Sequence, residues 1–231
     1  MDKRKSYYIV LDTETCNGIT VDGKLDLTCS LVYDIGYQVI DKKGYVYERR
    51  SFLVKEIFCN ESELMNSAYY AKKIPTYIAD LNKNIHSLKG WSEIKKIFLH
   101  DFYKYNIKAV VAHNAKFDLN ALNVTTRWIT KSKYRYFFPF GTPIFDTLIM
   151  SRDTIGKEIG YIIFCQRHNF MTKHKKPRVK LTAEVLYRYI SGNYDFVEAH
   201  TGLRDVEIES QIFVTCLAKH KKMQKNLFKN S

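Results

Sequence analysis

The sequence predicts an α/β protein: a mixed central sheet in which a β-meander is followed by alternating strands and helices on both faces. Three observations predict it. The first third carries β-rich runs joined by a short polar turn. The middle third switches to helical spacing between short apolar strands, and the last third holds two helix patterns with start and stop signals. Strands first, then strands alternating with helices, require a mixed sheet with helices packed on its faces.

Taken in order, Tyr7-Tyr8-Ile9-Val10-Leu11 is a near-continuous apolar run, as in a central strand buried on both sides. Leu31 to Ile40 is a second β-rich run. The turn Asp41-Lys42-Lys43-Gly44 then leads into a third, Tyr45 to Val54, which makes an antiparallel hairpin. Trp91, Ile94, Ile97, Phe98 and Phe102 fall at helical spacing, with Ser92 as the expected N-cap. Ala109-Val110-Val111-Ala112 is a short buried strand, and Leu119, Ala121 and Leu122 begin a helix after it. Ile144-Phe145 reads as a strand ending at Asp146, with a helix to follow. Thr182 is the expected cap of a helix over Ala183 to Ile190, stopped by Gly192-Asn193, and Thr201 that of a last helix running to about Lys219. No internal repeat or linker-like composition divides the chain, so one domain is expected over 1–231, with a basic and aromatic elaboration at about 126–180.

Composition narrows the function classes. With 231 residues, 45% of them apolar, the chain has enough core to fold without staples and is neither disordered nor collagen-like. No stretch approaches the roughly 18 to 20 apolar residues of a membrane helix, and the start of the chain has no signal-peptide core, so a soluble protein with no membrane partner is expected. Five cysteines (Cys16, Cys29, Cys59, Cys165, Cys216) are odd in number and widely spaced, without a C-x-x-C pair. That favours a reducing cytoplasm, or the host cytoplasm for a phage-encoded chain, over a disulfide framework. The 37 Lys and Arg against 24 Asp and Glu leave a net charge of +13, which favours a polyanionic partner.

Four acidic residues stand where an element begins or ends. Asp12 and Glu14 close the first strand, and residues two apart on a strand project from one face. Asp118 opens a helix whose apolar face includes Ala121 and Leu122. Asp205 heads the stripe Ile208, Ile212 and Phe213 on the last helix. Each of these carboxylates is therefore expected to point at the sheet. Like charges brought together raise one another's pKa, a cost that divalent cations remove. Hard oxygen ligands select Mg²⁺ or Mn²⁺, and two such ions about 3.5–4 Å apart are machinery for phosphodiester cleavage.

Three motifs then carry a resemblance. Asp12-Thr13-Glu14-Thr15 resembles the first motif of the DEDD-type 3'–5' exonucleases, His113-Asn114-Ala115-Lys116-Phe117-Asp118 the second, and His200-Thr201-Gly202-Leu203-Arg204-Asp205 the third. They occur in family order across nearly the whole chain. The tyrosine variant of the family has Tyr four residues before the last Asp, where this chain has Thr201; the histidine variant has His five before it, where this chain has His200. The chain thus resembles the DEDDh subgroup, which includes polymerase proofreading subunits, RNase T and oligoribonuclease.

The resemblance implies a ribonuclease H-like fold and a nuclease that releases nucleoside 5'-monophosphates from 3' ends with two divalent cations, Mg²⁺ or Mn²⁺. It implies Asp12 between both ions, Glu14 and Asp205 on the water-activating one, Asp118 on the other, and His200 as general base. Thr13, Thr15, Asn114 and Phe117 match the family's terminal-nucleotide pocket by position. Cys16 and Asn17 replace the Thr-Gly common after the first motif. His113 is expected to be structural, and Asn114 either caps the helix near Ala115 or contacts the nucleotide. The expected substrate is single-stranded DNA; alternatives are an exoribonuclease trimming RNA and a catalytically silent nucleic-acid-binding module.

Two acid-free stretches mark an expected path for the strand. Residues 119–145 carry Arg127, Lys131, Lys133 and Arg135 among seven aromatics, including Trp128, Tyr134 and Tyr136; Phe137, Phe138 and Phe140 are expected in the core. Residues 159–183 carry Lys173, Lys175, Lys176 and Arg178, expected on a loop. Cations attract phosphates and exposed rings stack unpaired bases. The basic tail from Lys219 to Lys229 reads as a solvated helix end.

Overall fold

A computed structural model describes residues 4–16, 30–66, 68, 71–219 and 222–228. Asn17 and Cys29 lie outside them. The first β-rich run extends well beyond Leu11, as β1 (Tyr7–Cys16), so both carboxylates of the first motif sit within the strand. β2 (Leu31–Asp41) and β3 (Val46–Val54) complete the meander; β2 pairs with β3 antiparallel as the turn predicts, and β1 with β2 antiparallel as well. β4 (Ser87–Lys89), β5 (Ala109–Ala112) and β6 (Ile144–Asp146) are short and join in parallel, giving one six-stranded mixed sheet in the order β4-β3-β2-β1-β5-β6.

Helices cover both faces. They are α1 (Lys55–Phe58), α2 (Ser62–Asn66), α3 (Ile74–Asn82), α4 (Trp91–Lys104), α5 (Lys116–Thr130), α6 (Thr147–Asp153), α7 (Ile159–Arg167), α8 (Ala183–Ser191) and α9 (Gly202–Ala218). Alternation along β1 separates two cores. Ile9 and Leu11 pack with Tyr77, Trp91, Phe98, Leu122 and Phe137, whereas Val10 packs with Met150, Tyr161, Leu186, Val206, Ile212 and Phe213. By the same alternation Asp12 and Glu14 share the Val10 face, toward α9, and Thr13 shares the Leu11 face, toward α5. None of the described helices is long and apolar enough to cross a membrane. Cys16, Cys59, Cys165 and Cys216 are free thiols, all but Cys59 buried.

The expected helices are present, but several of their caps differ. Ser92 does not cap α4, which begins one residue earlier. Gly90 takes the N-cap position, and Glu56 of α1 accepts the Trp91 N–H at 3.0 Å. Thr182 and Thr201 occupy the N-cap positions of α8 and α9 without a side-chain cap bond. For α9 the missing acceptor comes from the strand it rests on: buried Asp34 of β2 accepts the Gly202 N–H at 3.0 Å and the Tyr77 hydroxyl at 3.0 Å. Asn114 makes no cap either, since Ala115 takes the N-cap position of α5. Phe137 is fully buried as expected and Phe138 packs against the same core, but Phe140 stands in solvent. Its segment runs outside the helices, where no neighbour covers it.

The N-terminus of α9 rests on bare backbone. A Cβ added to Gly36 of β2 would lie 2.2 Å from Gly202 C and Leu203 N, and one added to Gly202 would lie 2.6 Å from Gly36 N. Side-chain-free contact at both positions lets the helix start directly against the strand. Gly36→Ala is therefore expected to lower stability by about 1–3 kcal/mol, as overpacking does, read from the urea midpoint; an unchanged midpoint contradicts this role.

Candidate active site

The two faces of β1 bring the acidic residues together from opposite helices. Asp205, in the first turn of α9, approaches the face that carries Asp12 and Glu14. Carboxylate oxygens of Glu14 and Asp205 and a ring nitrogen of His200 all lie within 4.8 Å of one another. Asp118, in the first turn of α5, comes from the other side, where its Oδ1 accepts the Thr13 backbone N–H at 3.1 Å and the Thr13 hydroxyl at 2.8 Å. Asp12 stands in the middle, partly accessible, in the electrostatic field of Glu209, Asp118, Glu14 and Asp205. The four carboxylates predicted from the sequence and His200 thus converge at one end of β1.

The surrounding backbone is bent to serve this point. Asn114 and His200 both take left-handed conformations, with φ of 62° and 51°, a region that costs a non-glycine residue roughly 1–2 kcal/mol. Lys73 braces the second bend by donating to the carbonyl oxygens of Ala199 and His200. Asp146 braces the first: its Oδ1 accepts the Asn114 N–H at 3.1 Å while capping α6 through the Leu148 N–H at 2.9 Å.

No protein-family model matches the chain, and no curated protein matches it in sequence. Solved structures do match. A 3'-exonuclease solved for 3'-end specific recognition of histone mRNA stem-loop is 12% identical with a TM-score of 0.59, over 97% of this chain and 68% of that one. The nuclease domain of 3'hExo, a DEDDh family member bound to rAMP, is 12% identical with a TM-score of 0.58, over 98% of each chain. The chain shares the fold of these two nuclease domains. E. coli exonuclease I in complex with a 5cy-dT13 oligonucleotide is 12% identical with a TM-score of 0.52, and the match spans 93% of this chain but 40% of that longer one.

Within this fold the other expected residues take distinct places. His113 is locked: Nε2 lies 2.8 Å from the Leu181 carbonyl and Nδ1 2.9 Å from the Thr147 hydroxyl. Burial pushes its pKa down to about 4, so the ring is neutral, donates from Nε2 to the carbonyl and accepts at Nδ1. Thr13 spends its hydroxyl on Asp118. Thr15 and Phe117 are half-buried and Asn114 is exposed. The basic positions divide. Lys173, Lys175, Lys176 and Arg178 are exposed on a loop closed by the Met171–Val179 bridge and by the Thr172 N–H to Arg178 carbonyl bond; that loop returns to Leu181, on His113. Arg127, Lys131, Lys133 and Arg135 are not brought to the carboxylates. Lys131 follows Asp118 by 13 residues along α5, roughly 20 Å at 1.5 Å per residue. There the cations lie over rings, Lys131 above Trp128 at 4.5 Å and Lys133 above Tyr134 at 5.3 Å.

Burial dominates the electrostatics. It raises Asp118 to about 7, against the pull of its Thr13 bonds, and raises Asp205 to about 8 with help from Glu198. Asp12 and Glu14 rise well above the carboxylate range for the same reason, followed by the repulsion of their acidic neighbours. His200 moves the other way, lowered by burial and then by the charge of Lys73. Asp205 Oδ1 is buried with no hydrogen-bond partner among the described residues. An all-oxygen acidic donor set with an idle buried oxygen fits a hard divalent cation.

Sequence reasoning missed Lys73, Asp34 and Glu209. Lys73 carries no sequence signal. Asp34 lies in a β-rich run where an acid is unremarkable. Glu209 had one, a charge four residues after Asp205 between the apolar positions Ile208 and Ile212.

These raised values set a pH dependence. Above the ordinary carboxylate range the folded chain keeps protons that the unfolded chain has released, so stability falls as pH rises. In chelator the Tm is expected to decline from about pH 5 toward pH 8, through the values of about 7 and about 8 at Asp118 and Asp205. A divalent cation, which binds the ionised forms, is expected to remove the decline. A chelated protein whose Tm climbs across this window contradicts raised carboxylate pKa values at this site.

Proposed function

We propose that this chain is a single-domain, metal-dependent 3'–5' exonuclease that releases nucleoside 5'-monophosphates from single-stranded 3' ends, with DNA preferred. One observation carries the reading: Asp12, Glu14, Asp118 and Asp205 converge with His200 at one point of a fold shared with 3'-exonucleases. When bound, two divalent cations would activate a water and neutralise charge on the leaving 3'-oxygen. Asp12, Glu14 and Asp205 would hold one ion, and Asp12 with Asp118 the other.

The chain's own groups do the rest. His200, neutral at pH 7 because its pKa is lowered, takes the proton of the attacking water at a ring nitrogen as the water oxygen bonds to phosphorus and the P–O3' bond breaks. Lys73 keeps the His200 loop in place through the carbonyls of Ala199 and His200. Asn114, Thr15 and Phe117, close to Asp118 and Glu14 in sequence and not fully buried, would meet the terminal nucleotide. The cations at 173–178 attract the backbone phosphates. Exposed Tyr134, Tyr136 and Phe140 would stack bases further along, with Lys133 over Tyr134 and Arg127 over Tyr136, at about 1–3 kcal/mol per base. RNA is the second reading, favoured by the likeness to 3'hExo, whose structure holds rAMP.

The test is degradation of 5'-labelled single-stranded DNA and RNA with Mg²⁺. The expected product pattern is a ladder shortening from the 3' end, faster on DNA. Asp12→Asn is expected to lower the rate about a thousandfold or more with binding retained, and His200→Ala about 10²–10⁴-fold. Undiminished cleavage by Asp12→Asn refutes the site. Replacing Lys175, Lys176 and Arg178 together with Gln is expected to flatten the plot of log affinity against log salt by about 2; an unaltered slope removes that loop from the path.

A further inference from the structure

Glu209 lies one helical turn after Asp205 on α9, so the two carboxylates leave the same face. It is 3% exposed. One of its oxygens accepts the backbone N–H of His113, while Oε2 has no hydrogen-bond partner among the described residues. Its electrostatic neighbours are Asp118, Asp205 and Glu198, all acidic. Glu209 is in turn the strongest charged influence on Asp12, ahead of Asp118, Glu14 and Asp205. Lys73 acts on Glu14 and Asp205, on the other side of the site. No basic side chain is among the main influences on Asp12, Asp118 or Glu209.

A carboxylate buried this way, with an idle oxygen and only acids for company, weakens the fold unless something positive completes it. Buried Asp34 and Asp101 also leave one oxygen idle, but each holds two donors on its other oxygen, Gly202 N–H and the Tyr77 hydroxyl for Asp34, the Tyr37 hydroxyl and Arg50 for Asp101; Glu209 has a single amide and acidic neighbours. At Glu209 the missing partner is a charge that side chains do not supply, on the side of the site formed by Asp12 and Asp118.

We propose that Glu209 is a further carboxylate of the divalent-cation site, giving an oxygen to the ion that Asp12 and Asp118 hold. The assignment rests on the nuclease reading and deepens it, since the three motifs end at Asp205 and leave Glu209 out. Its oxygen takes a coordination position that water fills in a site of lower charge, so the ion is held more tightly before any nucleic acid arrives. The His113 N–H fixes the other oxygen, and the bonds of the His113 ring to Leu181 and Thr147 fix His113.

The test is a Mn²⁺ titration of the full chain without nucleic acid, following free Mn²⁺ by electron paramagnetic resonance, for wild type, Glu209→Gln and Asp12→Asn. Gln keeps the shape and the acceptor for His113 and removes the charge. The expected result is that Glu209→Gln weakens one ion roughly ten- to a hundredfold and leaves the other unchanged. Its Tm in chelator is expected to equal or exceed that of wild type, because a buried repulsion is gone. A Mn²⁺ isotherm identical to wild type overturns the assignment, as does a lower Tm in chelator, which marks Glu209 as structural support. A wild-type chain that binds no Mn²⁺, with Asp12→Asn indistinguishable from it, brings down the nuclease reading as well.

Discussion

The start of α9 lies against the backbone of β2 with no side chain between them, and the position of Asp205 depends on that contact. Gly36 and Gly202 meet where any Cβ would collide with backbone. The approach leaves the first amides of α9 without solvent, and buried Asp34 answers by accepting the Gly202 N–H. Tyr77 steadies Asp34 from α3. Strand, helix start and capping acid therefore form one unit, whose result is that Asp205 reaches Glu14 and His200. A helix held further off by the breadth of a methyl group would separate the acids that β1 and α9 contribute.

That arrangement carries an electrostatic cost. Asp12, Glu14, Asp118, Asp205 and Glu209 are all raised in pKa, with burial the leading cause at each. Net stabilities of proteins are only about 5–15 kcal/mol, so such a cluster uses a real share of what the two apolar cores supply. Cation binding to the folded state alone returns stability that grows with the logarithm of its concentration. The left-handed backbones at Asn114 and His200 belong to the same trade, strain kept at the site and supported by Asp146 and Lys73.

Much of this was legible in the sequence because it depends on short periods. The strands of the meander, the apolar stripes of α4, α5 and α9 and the one-faced pair Asp12 and Glu14 all follow from alternation at two or at 3.6 residues. What failed to show were contacts between distant segments. Ser92, Thr182 and Thr201 have the chemistry of caps, yet Glu56 and Asp34 supply the acceptors at α4 and α9 from other elements. Ile159–Arg167 begins Ile-Gly-Tyr-Ile-Ile-Phe-Cys, an apolar run too continuous to display a helical period, and it folds as α7. Arg127 to Arg135 and Lys173 to Arg178 read as two stretches of one strand path, whereas the length of α5 carries Lys131 away from Asp118. Nothing beside Gly36 in the β-rich run names Gly202, 166 residues away, as the backbone it meets.

The central claim is that opposed helices and one strand build a cation site at Asp12. Anomalous diffraction from crystals soaked with Mn²⁺ and a nucleoside 5'-monophosphate tests it most directly. The account requires two Mn²⁺ peaks about 3.5–4 Å apart, with Asp12 between them, Glu14 and Asp205 beside one and Asp118 beside the other. Clear density for all four carboxylates with Mn²⁺ bound only elsewhere on the molecule would contradict it.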